Sequence, residues 1–263
     1  MILQVLAVGD VVSEHGLDFL SGRLRQVKRE HGVHFTVVNG ENAAGIGVLP
    51  DQIEAMFDAG ADVVTLGNHT WGKMKIIRFM EECPYLLRPA NFAQRLPGQG
   101  WGVFEGPAGL RIGVLNLIGR VSMDPNVDNP FLRADQLLDQ MKSRADLLLV
   151  DFHAEATSEK LAMGWYLDGR VSAVWGTHTH VPTADAKILP GGTGYVTDLG
   201  MTGPARSVLG IRPADSINKF LGGIPRRYMA ADGPRKLESV LFSIDTETRR
   251  CVEVRRVDLS EAE

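Results

Sequence analysis

Eight side chains of this sequence share a metal-binding type and a common setting. Asp10, Glu41, Asn42, Asn68, His69, His153, His178 and His180 each stand just past a short apolar run that ends at small or polar residues. Leu3 to Val8 leads into Gly9-Asp10, and Phe35 to Val38 into Asn39-Gly40-Glu41-Asn42. Val63 to Leu66 leads into Gly67-Asn68-His69, Leu147 to Val150 into Asp151-Phe152-His153, and Ala173 to Trp175 into Gly176-Thr177-His178-Thr179-His180. Such runs read as short buried strands. Loops beyond the carboxyl ends of strands in open α/β sheets converge on a site, so all eight are expected on one rim.

The donors mix oxygen and nitrogen without thiolate. Imidazole with carboxylate suits zinc, manganese, iron or nickel, whereas an all-oxygen set suits magnesium or calcium. Seven or eight donors exceed one four-coordinate ion and suit two ions sharing a carboxylate. Glu41, central in the set, is the natural bridge. Two ions about 3.5–4 Å apart can clamp the attacking and leaving oxygens of a displacement at phosphorus. Taken singly, a strand-end aspartate is usually a turn former and a buried histidine is usually just hydrogen-bonded. Four of the seven histidines at strand ends weigh against that plain reading. His178 and His180, two apart on a segment expected to be extended, would point the same way. His15, His31 and His34 flank a helix without acidic partners and read as surface residues.

The positioning elements follow from periodicity. Leu17, Leu20, Leu24 and Val27 mark an amphipathic helix ending near Gly32. A second helix runs from Asp51 to Ala59 and is closed by Gly60; a third, around Lys75–Glu82, is stopped by Pro84. The first ninety residues thus read β-α-β-α-β-α, a parallel sheet with right-handed crossovers. Strand Arg111–Ile118 follows a turn-rich stretch and suggests hairpins; helices are expected at Leu132–Arg144, Ser158–Asp168 and Ala214–Leu221. Two strands, Lys236–Ile244 and Arg250–Asp258, close the chain. The expected fold is α/β in one domain over 1–263: two mixed sheets packed together with helices outside.

Composition narrows the partners. The 28 basic and 32 acidic residues give a net charge of −4, against a polyanion such as RNA as the main partner. Two cysteines, Cys83 and Cys251, without CxxC spacing, exclude a disulfide framework and fit free thiols in a reducing cytosol. A start without a basic flank and the lack of a long apolar run lead to the expectation of a soluble, cytoplasmic protein without membrane contact. A homo-oligomer is left open.

The ordered motifs Gly9-Asp10, Gly40-Glu41-Asn42, Gly67-Asn68-His69, His153 and Gly176-Thr177-His178-Thr179-His180 resemble those of calcineurin-like metallophosphoesterases. Residues 40–45, 67–71, 151–160 and 195–203 are most similar to the bacterial YmdB-type branch. That resemblance implies a four-layer α/β/β/α sandwich and a dinuclear phosphodiesterase of cyclic nucleotides, such as the 2′,3′-cyclic kind. It also implies one ion held by Asp10, Glu41, Asn42 and His180, and another by Glu41, Asn68, His153 and His178. His69 is the implied proton donor, and the implied cofactor is iron, with manganese as substitute. The broad superfamily has Asp-x-His where this chain has Asp10-Val11-Val12, and aspartate where it has Glu41; Asn42 would supply the missing donor through its amide oxygen.

In that mechanism a hydroxide bridging two cations attacks phosphorus while His69 protonates the leaving oxygen. Glu155 is either a hydrogen-bond partner of a ligating imidazole or a solvated residue at a helix start. Residues 190–210 form either a substrate loop or a structural crossover. The rival readings are a metal-binding regulatory or scaffold protein with vestigial catalysis, and a phosphomonoesterase or nucleotidase of the same superfamily.

Overall fold

A computed structural model describes residues 1–123, 126–224 and 228–262. Strand Ile2–Val8 is followed by parallel strands Phe35–Asn39, Val63–Thr65 and Leu86–Leu87, side by side. Helices Ser13–Glu30, Pro50–Ala59 and Ile76–Glu82 make the crossovers. Pro50 starts its helix where no amide hydrogen is needed, and Gly60, with φ of 113°, ends it. Strands Ser239–Asp245 and Cys251–Arg256 add antiparallel to the other side, completing six strands.

The second six-stranded sheet starts with the antiparallel pair Trp101–Glu105 and Arg111–Ile118. Parallel strands Leu147–His153, Ala173–Thr177 and Gly194–Val196 follow, with Lys187–Ile188 antiparallel at the edge. Helices Pro130–Met141 and Thr157–Leu167 connect them.

Alternation of side chains builds the layers. Leu3, Val5, Phe35 and Val37 of the first sheet meet Ile112, Val114, Leu149 and Trp175 of the second in one core. The opposite face of the first sheet, with Leu6, Val8, Val38 and Val64, packs on Leu20, Leu24, Ile53 and Met56 of the helices. The outer face of the second, with Leu115, Val150 and Val174, packs on Leu137, Leu138, Met163 and Leu167. The result is the expected α/β/β/α sandwich. Among the described residues, no helix is long and apolar enough to cross a membrane.

A third, four-stranded sheet departs from the expectation of two. It joins Asp10–Val11, Met201–Pro204, Arg235–Leu237 and Leu259–Ser260. The expected strand Lys236–Ile244 is therefore two strands in different sheets, divided at Glu238. The Glu238 carbonyl accepts from Gly9 N at 2.9 Å and its carboxylate from Met201 N at 2.8 Å. Asp10 likewise lies on its own short strand, turned out of the first sheet at Gly9.

Within residues 190–210, Gly194–Val196 and Met201–Pro204 are buried strands. Farther along, Pro213–Phe220 is the expected short helix, and residues 225–227 of that region lie outside the described ones.

Two glycines test the packing in opposite senses. A Cβ at Gly67 would lie 2.2 Å from His153 Nε2, whereas one at Gly22, inside Ser13–Glu30, meets nothing within 4 Å. Gly67→Ala should cost about 1–3 kcal/mol by overpacking and shift the imidazole resonances of His153. Gly22→Ala should stabilise by about 0.5–1 kcal/mol. Denaturant titration and NMR check both; a neutral Gly67→Ala with unmoved His153 resonances would contradict the close approach.

Candidate metal centre

The carboxyl ends of both sheets meet at one rim. Phe35–Asn39 and Val63–Thr65 deliver Glu41, Asn42, Asn68 and His69 from the first sheet, while Leu147–His153 and Ala173–Thr177 deliver His153, His178 and His180 from the second. Asn116 ties the sheets together, donating from Nδ2 to the carbonyls of Leu66 (2.7 Å) and Leu87 (2.9 Å). All eight candidate residues are brought together.

Their polar atoms form two groups. In one, His153 Nε2 lies 2.9 Å from Asn68 Oδ1, 3.1 Å from Glu41 Oε1 and 3.1 Å from His178 Nδ1. In the other, Asn42 Nδ2 lies 3.2 Å from both Glu41 Oε1 and His180 Nε2, and His180 Nε2 lies 3.7 Å from Asp10 Oδ1. Glu41 Oε1 belongs to both. Asp10, Glu41 and His153 are fully buried. Glu41, His153 and His178 alone offer three ligand atoms within 4.8 Å of one another, enough to hold a metal ion.

Each of the three ring systems is oriented from outside. His153 Nδ1 lies 3.0 Å from Thr177 Oγ1, whose own hydroxyl donates to Asp151 Oδ1 at 2.8 Å. The hydroxyl can then only accept, so His153 Nδ1 carries a proton and Nε2 is the nitrogen turned toward the group. Glu155 Oε2 lies 3.1 Å from His178 Nε2, which leaves Nδ1 facing the group. The Leu209 carbonyl lies 3.3 Å from His180 Nδ1, which leaves Nε2 inward. Outer acceptors of this kind fix the tautomer of metal-binding imidazoles.

His178 and His180 do not stand on an extended segment as expected. The strand ends at Thr177, and the two residues have φ of 98° and 61°. Left-handed backbone at non-glycine residues is strained, and here it sends the two rings into different groups. Asn42 also differs in orientation: its Oδ1 faces His69 Nδ1 at 2.8 Å, and its nitrogen gives Glu41 and His180 a donor. Val12 packs its side chain against Gly203 and Gly210, and its backbone bridges to Asn42. His69 is tied by its backbone N–H to Glu41 Oε2 at 3.0 Å, with its ring about one-third exposed. Of the histidines read as surface residues, His34 accepts from Gln4 N, and His15 and His31 lie beside Asp232 and Arg255.

Charge follows the same division. Burial penalises the Glu41 carboxylate, but His153 and His69 outweigh it and hold Glu41 below the usual range. At Asp10 burial wins over the attraction of His153, with Glu41 and Asp198 adding to the upward push. Its Oδ1 has no hydrogen-bond donor among the described residues. Burial opposes charge on His153, yet Glu41, Asp10 and Asp151 raise it to about 9. Burial and the neighbouring His153 press His178 down to about 3, and burial lowers His180. Sequence reasoning assigned no role to Asp151, Thr177 and Asn116, which lie within strands.

Comparison with known proteins adds independent evidence. A family model described as YmdB-like protein matches residues 6–257. A Bacillus subtilis 2′,3′-cyclic-nucleotide 2′-phosphodiesterase is 44% identical over 97% of this chain and 96% of its own. Two crystal structures superpose with TM-scores of 0.91. A hypothetical protein from Thermus thermophilus is 38% identical, covering 99% of this chain and 100% of its own. A novel phosphatase from Mycoplasma pneumoniae is 33% identical, covering 99% and 94%. With matching motifs, one shared fold and a family model spanning nearly its whole length, this chain belongs to the YmdB-like protein family.

Proposed function

We propose that this chain is a dinuclear metal-dependent phosphodiesterase of 2′,3′-cyclic nucleotides. The observation that carries the reading is the convergence of the inward nitrogens of His153 and His178 on the buried Glu41 carboxylate, with His180 joined to it through Asn42. A buried Asp10 oxygen without a donor and a mixed nitrogen–oxygen set both fit transition-metal ions. Asp10, Glu41, Asn42 and His180 would hold one ion; Glu41, Asn68, His153 and His178 would hold the other. Asn42 serves through its oxygen once its amide is turned. Iron, with manganese as substitute, suits the oxygen-rich first set. Bound there, the ions supply a nucleophilic water at neutral pH and offset charge on the phosphoryl oxygens.

The chain's own groups complete the reaction. Asp151 through Thr177, Glu155 and the Leu209 carbonyl keep the three imidazoles oriented. His69, neighbour to the set and open to solvent on one side, is the proton donor. A bond forms between water oxygen and phosphorus, the P–O2′ bond breaks, and His69 delivers its proton to O2′. The product is a nucleoside 3′-phosphate. The substrate class is supported by the name of the Bacillus relative, and the Mycoplasma relative's name favours a second reading, phosphomonoester hydrolysis.

The manganese-loaded protein should convert 2′,3′-cyclic AMP to 3′-AMP and stop when a chelator is added. Hydrolysis of monoesters with an inert cyclic substrate would decide for the second reading.

The role of His69 has its own signature. A nitrophenolate leaves without protonation and a ribose hydroxyl does not, so His69→Ala should lose about 10²–10⁴-fold on 2′,3′-cyclic AMP. On bis(nitrophenyl) phosphate the loss should be far smaller, with metal content unchanged. Equal losses on both substrates together with shed metal would make His69 a ligand.

A further inference from the structure

One buried ion pair is used by none of the steps above. Lys160, on helix Thr157–Leu167, and Asp198 are each about 1% exposed, with Lys160 Nζ 2.6 Å from Asp198 Oδ2. The lysine stem passes Gly176, where a Cβ would lie 2.9 Å from Lys160 Cδ. Buried charges are costly even when paired, so a stable core alone does not require them.

The remaining hydrogen bonds of the Asp198 carboxylate go to the rim. Its Oδ2 accepts from Thr179 Oγ1 at 2.7 Å and from Thr179 N at 3.2 Å. Thr179 is the residue between His178 and His180, both held in left-handed backbone. Asp198 Oδ1 accepts from Gly200 N at 2.8 Å. The Gly200 carbonyl accepts from Asp10 N at 3.2 Å, and Met201 pairs in register with Asp10. One carboxylate thus grips the backbone beside Asp10 and beside His180, two members of the same donor group. His178 shares the hold at Thr179 and donates its N–H to Asp10 Oδ2, but its ring lies 3.1 Å from the carboxylate of Glu155. Glu41, Asn68 and His153 are reached from other strands.

We infer that Lys160 and Asp198 are a positioning pair that sets the spacing of Asp10 and His180, and so governs the affinity of one of the two ions more than that of the other. The inference rests on the dinuclear reading of the site. Lys160 neutralises the carboxylate and fixes it against Thr179, which keeps the strained turn from relaxing.

Manganese titration of chelator-stripped protein, followed by calorimetry and by electron paramagnetic resonance, tests the pair. Wild type should bind two ions with a spin-coupled signal. The charge-neutral double variant Lys160→Met/Asp198→Asn should weaken one site about tenfold or more and the other far less, as the loss of charge-assisted hydrogen bonds implies. The coupled signal should fade while circular dichroism stays unchanged, and kcat should fall more than KM rises. Thr179→Val keeps both charges and removes a single hydroxyl bond; it should weaken the same site to a smaller degree, and it decides the matter if the double variant does not fold. Equal weakening of both sites, or of neither, in folded variants overturns the inference. A wild type that never binds two ions overturns instead the dinuclear reading beneath it.

Discussion

A carboxylate withdrawn from water must be met by positive charge or by donors, and Glu41 is such a carboxylate. Its Oε1 is shared by two sets of inward-facing groups, and its Oε2 takes the His69 backbone N–H. The surrounding architecture serves this point. Small residues end the strands so that loops can crowd together; at Gly67 not even a methyl group fits beside the His153 ring. The two sheets are joined at their carboxyl ends by the Asn116 amide, which keeps donors from different sheets at bonding distance. Packing of the two inner faces into one core makes that distance rigid.

The outer hydrogen bonds matter as much as the inward groups. An imidazole can offer a lone pair or a proton at a given nitrogen, and its far side decides which. Thr177 makes that choice for His153, Glu155 for His178 and the Leu209 carbonyl for His180. Glu155 meets both readings of the sequence in part, with its carboxylate 3.1 Å from the His178 ring and its side chain half exposed. The pattern accounts for buried polar residues such as Asp151 that contribute nothing to the apolar core.

Much of this was legible in the chain. Strand ends carrying Asp, Glu, Asn and His at five places announced the rim, and helical periodicity placed the crossovers within a few residues. The third sheet was not legible, because Lys236–Ile244 reads as one apolar run and only tertiary bonds at Glu238 divide it. The turn at His178-Thr179-His180 was misread for a related reason. Period-two spacing suggests extension, whereas the observed backbone is left-handed and held from outside by Asp198. Asn116 and Thr177 were invisible as well, since a polar residue within a strand gives no sign of what it faces across another sheet.

On the proposed function, Glu41 is the shared member of two ion sites. Anomalous diffraction from crystals of the manganese-replete protein measures this directly. Two peaks should flank Glu41 in the wild type, both should be lost or weakened in Glu41→Gln, and only the peak beside Asp10 should be lost in Asp10→Ala. A single peak in the wild type, or two full peaks in Glu41→Gln, would contradict it.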